Sequence, residues 1–293
     1  MKLSVIIVSY HMQRELPRTL LSSLPPSQLE VEDVDYEVIV IDNGSPEPLK
    51  LPDTYLLHSN VKLIRIPTDV AEPSPVKCIN QAVSDHASGE HLLICIDGAR
   101  ILSPYLIRRT VDVLDRYPTA FTFVASRHLG SEVQMAAATK GYDQNVEDRL
   151  LSSVDWETDL DALWGISVWA GAHSNDNFSY QTESNAIGCS RLLWESLGGY
   201  NEDFKRPGGG LCNLELFARA ANRPCALNIL LLGEATFHQF HGGAATSGRG
   251  YFGGSLDEHI QATGQPYVIP RYEFLTDTGA NYGRFQKIRE YLQ

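Results

Sequence analysis

Apolar residues fall along this chain in two rhythms. Runs rich in valine, isoleucine and leucine occupy Leu3–Ser9, Glu37–Ile41, Val61–Ile66 and Leu92–Ile96. Short continuous runs of this kind predict strands buried on both faces of a parallel sheet. Between them the spacing changes to the helical period. Arg14–Leu24 carries Leu16, Leu20, Leu21 and Leu24, with Pro17 early, and Val76–Ala87 places Ile79, Ala82 and Val83 on one face. Ser103-Pro104 has the form of an N-cap followed by proline at the first helical position. The apolar stripe Leu106, Ile107, Thr110, Val111 and Leu114 then predicts a helix that Tyr117-Pro118 ends. Phe121–Ala125 reads as a further strand. Strands alternating with helices of this length predict an α/β chain, with right-handed crossovers building a Rossmann-like, mostly parallel sheet.

The pattern then breaks. Ser131–Tyr180 is polar and acidic, carries Trp156, Trp164 and Trp169, and has no single period. It predicts a cap of loops and short helices beside the sheet. Order returns with a short helix over Ser190–Leu197, stopped by Gly198-Gly199, and a second over Leu211–Ala221, entered through Pro207 and three glycines. Leu227–Leu232 predicts a strand feeding Phe237–His241. Gly242–Gly254 reads as a mobile glycine-rich loop and Asn281–Leu292 as a closing amphipathic helix. The expected organisation is one continuous domain: a ligand-binding half over 1–125, a second half over 126–241, and a tail over 242–293.

Composition narrows the function. With 293 residues, 43% apolar and 20% charged, the chain can bury a sizeable core. A net charge of −12 argues against a nucleic-acid partner, whose phosphates need a basic face. An anionic ligand must therefore be held by a local group of cations or a metal. The five cysteines are scattered and include no C-x-x-C pair, which suits reduced thiols in a cytoplasmic protein. The first apolar run is too short for a signal peptide, and no stretch has the length of a membrane span. The expectation is a soluble cytoplasmic protein. Its basic, aromatic segment Tyr282–Tyr291 is expected to pack on its own domain, with peripheral membrane contact and a homodimer left open.

Candidate chemistry gathers where strands end. Asp97 and Gly98 close the Leu92–Ile96 run. That is where open α/β sheets bind ligands, although Asp-Gly is also ordinary turn chemistry. Val8-Ser9-Tyr10-His11 has no glycines, so the dinucleotide fingerprint is absent. Ile41-Asp42-Asn43-Gly44-Ser45 offers a carboxylate for a ribose or base, or an Asx-turn.

Taken in order, these elements resemble family 2 glycosyltransferases. The resemblance rests on V-S-Y at the first strand end, I-D-N-G-S at the second, Lys77 and Asn80 in the next helix, Gly89-Glu90 before I-D-G, and Leu197-Gly198-Gly199-Tyr200-Asn201-Glu202. It covers roughly residues 3 to 241. It implies a GT-A fold, with a nucleotide-sugar half and an acceptor half. It also implies transfer of a sugar from a nucleotide-sugar donor, UDP-sugar by default, to a hydroxyl of a saccharide or glycoconjugate. Ser9, Tyr10, Asp42, Lys77, Asp97, Gly98 and Arg100 are the expected donor-binding residues. In the family the residue matching Asp42 contacts the base, and the D-x-D aspartates bind a divalent metal with the diphosphate and ribose.

Two departures stand out. The D-x-D position reads Asp97-Gly98-Ala99, with one carboxylate where two are usual. A leaving diphosphate needs a cation, so holding Mn²⁺ or Mg²⁺ requires a further ligand. Family relatives place a histidine near Phe237-His238-Gln239-Phe240-His241, and imidazole favours Mn²⁺. In an extended strand H-x-x-H sends the two rings to opposite faces, so only one of His238 and His241 is expected to bind. Arg100, Lys77 and Arg249 can supplement the metal's charge. The second departure lies at the start of the Leu211–Ala221 helix, where the family's E-D pair supplies the general base of inverting transfer. Here it reads Cys212-Asn213. Asparagine can only orient a hydroxyl, so Asn213 passes the base role to Glu215, Glu183 or Asp176, among which the sequence does not choose. Pro207–Glu215 and Gly233–Gln239 resemble a bacterial subgroup, pointing to polysaccharide or glycoconjugate synthesis. The tryptophans are candidates for stacking on an acceptor or for the core, the latter being usual. Thr246, Ser247 and Arg249 suit a lid over the diphosphate, or a plain linker. Inverting transfer is the expected reaction; a retaining transferase and a nucleotide-sugar-binding protein without turnover are the alternatives.

Overall fold

The valine- and isoleucine-rich runs assemble side by side. β1 (Leu3–Ser9), β2 (Tyr36–Asn43), β3 (Val61–Ile66) and β4 (His91–Cys95) pair in parallel in the order 4-1-2-3. This is a computed structural model, and it describes residues 1–56, 58–171, 181–243, 252–279 and 282–292. Every residue of β1, β2 and β4 is buried, because helices cover both faces of the sheet. Alternate side chains serve alternate faces. Val5, Ile7, Val38, Val40 and Leu93 pack with leucines of α1 (Leu16–Ser23), while Ile6, Val8, Ile39, Ile41 and Ile94 join the opposite core. Each buried aliphatic side chain of this kind contributes about 1.5–3 kcal/mol over an exposed one. α2 (Asp53–Leu56) is a single turn, and α3 (Val76–Asp85) supplies Ile79, Ala82 and Val83 to the second core, on the face its spacing predicts.

Beyond β4 the sheet changes character. The further strands are β5 (Arg100–Leu102), β6 (Ala120–Leu129), β7 (Ser167–Trp169), β8 (Ile187–Ser190), β9 (Leu227–His238) and β10 (Leu275–Asp277). The described residues form one sheet in the order β10-β9-β6-β8-β4-β1-β2-β3, with β5 on β9 and β7 on β6. β8 is antiparallel to both β4 and β6, whereas β6, β9 and β10 run parallel to one another. Residue 125 lies inside β6, so the two expected halves share one sheet.

Several boundaries differ from the pattern. α4 (Leu106–Arg116) starts with no side-chain cap bond. The Ser103 hydroxyl, expected as its cap, donates instead to the buried Glu234 carboxylate and accepts from the Ala235 amide. A buried carboxylate without donors is costlier than a frayed helix end, so it takes the hydroxyl. The strand expected over Leu227–Leu232 continues through Gly233, at φ +88°, to His238. The cap contains α5 (Gln134–Thr139) and α6 (Gln144–Leu151). α7 (Arg191–Leu197) is capped by Ser190 and closed, where its sequence predicts, by Gly198 at φ +73°. α8 (Cys212–Ala221) follows.

α9 (Phe252–Thr263) starts within the stretch read as a mobile loop; residues 244–251 of that loop lie outside the described ones. α10 (Tyr282–Ile288) packs back on its own domain. Its Arg284 binds Glu234 at 2.6 Å and Asp161 at 2.8 Å, and Ile288 is buried with Trp156 and Trp164. The two tryptophans are thus core residues, and Arg127 lies 4.9 Å from the Trp164 ring and 4.7 Å from that of Trp169. Among the described residues no helix is long and apolar enough to cross a membrane.

Candidate active site

The chain leaves β4 through a turn that only glycine fits. A Cβ on Gly98 would stand 2.5 Å from the Val8 carbonyl oxygen, and the Gly98 carbonyl accepts the Thr19 hydroxyl at 2.6 Å. Gly98 therefore serves close packing against the end of β1. The turn feeds β5, which pairs antiparallel with the end of β9 and sets Arg100 opposite His238. The Gln239 amide then bonds to the Ala99 carbonyl at 2.8 Å. In this way a strand end and a histidine far along the chain become neighbours.

Asp97 is the centre of the cluster. Its Oδ2 lies 3.0 Å from His238 Nε2 and 3.1 Å from Arg100 Nε. Its Oδ1 accepts the Ala99 amide at 3.0 Å and lies 3.7 Å from His241 Nε2. The candidate ligand atoms of Asp97, His238 and His241 are all within 4.8 Å of one another. The expectation that only one histidine would face the aspartate is corrected here. β9 ends at His238, so strand alternation stops there and both rings come to Asp97, with centroids 5.2 Å apart.

Burial would raise the Asp97 carboxyl, but His241, His238 and Arg100 outweigh it and hold the group well below the usual carboxylate range. Burial, with Arg100 adding to it, pushes the His238 imidazole down to about 3 against the pull of Asp97. The Arg100 guanidinium is lowered by burial and supported by the charges of Asp97 and Glu183. At neutral pH an anionic carboxylate thus faces a neutral imidazole.

These residues fit a divalent cation. The Gln134 amide donates from Nε2 to the His238 carbonyl at 2.8 Å and turns its oxygen to His238 Nδ1. Nδ1 must then carry a proton, and in the neutral ring that leaves the Nε2 lone pair facing a carboxylate oxygen. Two acceptors this close repel unless a proton or a metal cation joins them. Metal–ligand bonds of about 2.1 Å at a right angle would separate two ligands by about 3.0 Å, matching the 3.0 Å between Asp97 and His238. A carboxylate with two imidazoles favours Mn²⁺ over Mg²⁺.

The other expected residues divide into several groups. Ser9 ends β1, fully buried, and its hydroxyl has no hydrogen-bond partner among the described residues. Arg100 Nη1 is likewise a buried donor without a partner there. Tyr10 is exposed. Asp42 is buried and accepts the Ser45 amide at 3.1 Å and the Leu49 amide at 3.5 Å. Lys77 makes an exposed ion pair with Glu72 at 3.1 Å. Asn213, at the start of α8, accepts the Tyr200 hydroxyl at 3.0 Å and donates to Glu183 Oε2 at 3.1 Å and the Ser184 carbonyl at 3.0 Å. Glu215 is taken up by Arg219, at 2.7 and 3.0 Å, which also holds the carbonyls of Leu197 and Gly199. Asp176, Thr246, Ser247 and Arg249 lie outside the described residues.

Pattern reading missed what stands behind the histidines. Glu147, from α6, accepts the Phe240 amide at 2.7 Å, and Arg14 pairs with Glu147 at 3.2 Å while donating to the Phe240 carbonyl. Burial pushes the Glu147 carboxyl up to about 7, against the Phe240 amide and Arg14. Gln134 and Glu147 sit in the stretch without a single period, so no spacing signal marks them.

Comparison with known proteins supports the fold. No protein-family model and no curated protein matches the sequence. Solved structures do. Staphylococcus aureus TarS 1–349 in complex with UDP-GlcNAc aligns with a TM-score of 0.57 at 17% identity, over 90% of this chain and 68% of that one. The mannosyltransferase PcManGT from Pyrobaculum calidifontis, in complex with GDP-Man and Mn²⁺, aligns at 0.50 and 14%, over 99% and 68%. Glucosyl-3-phosphoglycerate synthase from Mycobacterium tuberculosis aligns at 0.52 and 16%, over 91% and 81%. The chain spans 37% of TarS in one structure and 66% and 64% of TarS 1–349 in two others. The architecture is the α/β GT-A fold of these glycosyltransferases, with a mostly parallel central sheet.

Proposed function

We propose that this chain is a glycosyltransferase moving a sugar from a nucleotide-sugar donor to an acceptor hydroxyl, with one divalent ion held by Asp97, His238 and His241. The observation that carries the reading is the convergence of these three side chains with Arg100 beyond the end of β4 in a GT-A sheet. Nucleotide sugars bound to TarS and PcManGT support the donor class, and Mn²⁺ in PcManGT supports the ion. UDP-sugar is the donor of first choice. Residues 1–125 would hold the donor and 126–241 the acceptor.

When bound, the ion supplies positive charge for the departing diphosphate. Arg100 Nη1, buried and unpaired among the described residues, is placed to donate to a phosphate oxygen. The free Ser9 hydroxyl is a second donor at the same sheet edge. Glu183 is the residue we assign as general base. Asn213 holds its carboxylate, and its charge acts on Arg100, which supports this assignment. Asparagine at the family's base position then keeps an orienting role. Glu215 is passed over because Arg219 grips both its oxygens. A base of this kind favours inversion. Polysaccharide or glycoconjugate synthesis is the corresponding biological role, with a saccharide or glycoconjugate as acceptor.

The test is a thermal-shift panel of UDP, GDP, dTDP and CMP, each with and without Mn²⁺. A nucleotide that binds the native state raises Tm by mass action, and UDP with Mn²⁺ should give the largest shift. If no nucleotide shifts Tm, the reading fails. With a transferring donor in hand, Glu183→Gln should lower kcat by about 10²–10⁴-fold with little change in nucleotide binding. Proton NMR of the product should show an inverted anomeric centre; retention would remove Glu183 from the base role.

A further inference from the structure

Gln134 opens α5 and is fully buried, an unusual place for an amide side chain on a polar cap. Its contacts explain the burial. Nε2 donates to the His238 carbonyl at 2.8 Å and to Glu147 Oε2 at 3.4 Å. Oε1 meets His238 Nδ1, and the Gln134 backbone amide donates to His128 Nδ1 at 3.0 Å. The His128 and His238 rings lie 5.4 Å apart, so one residue of α5 touches both imidazoles of this pair. A carbonyl only accepts, which fixes the nitrogen arm of the amide and leaves the oxygen arm for the ring. The ring must then be protonated at Nδ1. Imidazole in water favours the other tautomer, with its proton on Nε2, and that form would turn an N–H toward a bound cation.

We propose that Gln134 is a positioning residue of the cation site: it locks His238 in the Nδ1–H tautomer and so presents the Nε2 lone pair toward Asp97. The proposal rests on the cation-site reading for its purpose and for a neutral His238 ring, and on hydrogen-bond geometry for the proton on Nδ1. Glu147 and Arg14 hold the amide and carbonyl of Phe240, and so fix the stretch of chain that carries His241. The outer layer of the site is therefore built by α5, α6 and the residues preceding α1. Partners on the far ring nitrogen of a metal-binding histidine typically change metal affinity by about 10–100-fold.

Nitrogen-15 NMR of histidine-labelled protein without metal tests this directly. The His238 signals, identified by their loss in His238→Ala, should show a protonated Nδ1 and an unprotonated Nε2. Gln134→Met keeps length and volume but removes the acceptor, and should shift His238 toward the Nε2–H form. Its Mn²⁺ affinity, read from the electron paramagnetic resonance of free Mn²⁺, should fall roughly 10–100-fold. A wild-type His238 protonated at Nε2 overturns the proposal even if the variant does not fold. So does a folded Gln134→Met protein with unchanged tautomer and Mn²⁺ affinity. If the wild type binds no Mn²⁺, the cation-site reading fails separately, and the tautomer still decides the role of Gln134.

Discussion

Ile41-Asp42 and Ile96-Asp97 are the same dipeptide at the ends of β2 and β4, the strands lying on either side of β1. Both aspartates use one carboxylate oxygen on the turn that follows, Asp42 through the Ser45 amide and Asp97 through the Ala99 amide. The second oxygen separates them. In Asp42 it accepts the Leu49 amide and has Arg65, from the neighbouring strand, at 4.0 Å. In Asp97 it faces Arg100 and His238. The same Ile-Asp chemistry therefore meets loop amides in one place and an arginine with two histidines in the other. What differs is whether a distant element delivers side chains to it. β5 makes that delivery at Asp97 by pairing with the end of β9.

The sharpest way to break this comparison is Asp97→Asn. Removing the charge should weaken Mn²⁺ binding by more than the roughly 10–100-fold that loss of an outer hydrogen bond causes, and abolish any Mn²⁺-dependent thermal shift with UDP. Retention of the shift would move the ion elsewhere.

Next in size is a pH effect that belongs to the Asp97 side alone. Asp42 is held by backbone amides of its own loop, whereas the histidines facing Asp97 are backed by the buried Glu147. Its carboxyl, raised to about 7, holds its proton more tightly in the native than in the unfolded chain. Native stability therefore falls as the pH climbs from the ordinary carboxyl range to about 7, and levels off above it. Glu147→Gln should lose that decline. The stability difference between variant and wild type should move in the variant's favour by up to about 3 kcal/mol between pH 4 and 8. Denaturant unfolding at the two pH values measures it, and parallel curves would contradict the assignment.

The smallest effect is expected at Asp42. Asp42→Asn keeps an acceptor but not the charge, and should cost about 1–2 kcal/mol of stability. The Mn²⁺-dependent shift should survive. If Asp42→Asn removed it as completely as Asp97→Asn, the two carboxylates would share one role and the comparison would collapse.

The elements that sequence pattern found are those with a strong local signal. β1, β2 and β3, the helices carrying Leu16, Ile79 and Leu106, and the glycine stop at Gly198 lie within a few residues of their expected places. Short strands such as β5 and β7 have too few residues for a period, and β5 is the one that builds the site. Asp97, His238 and His241 were legible as candidates because their residue types carry metal chemistry wherever they occur. Their arrangement was not, because strand alternation predicted one ring on each face and the strand stops at His238.

The sequence by itself determined an α/β chain, the buried parallel strands and the residues able to bind a cation, since these follow from periodicity and side-chain chemistry over a few neighbours. Only the tertiary structure decided which carboxylate meets the histidines, and that Gln134 and Glu147 stand behind them. Those choices depend on contacts across more than a hundred residues of chain, set by the pairing of β5 with β9 and by burial, which no local pattern encodes.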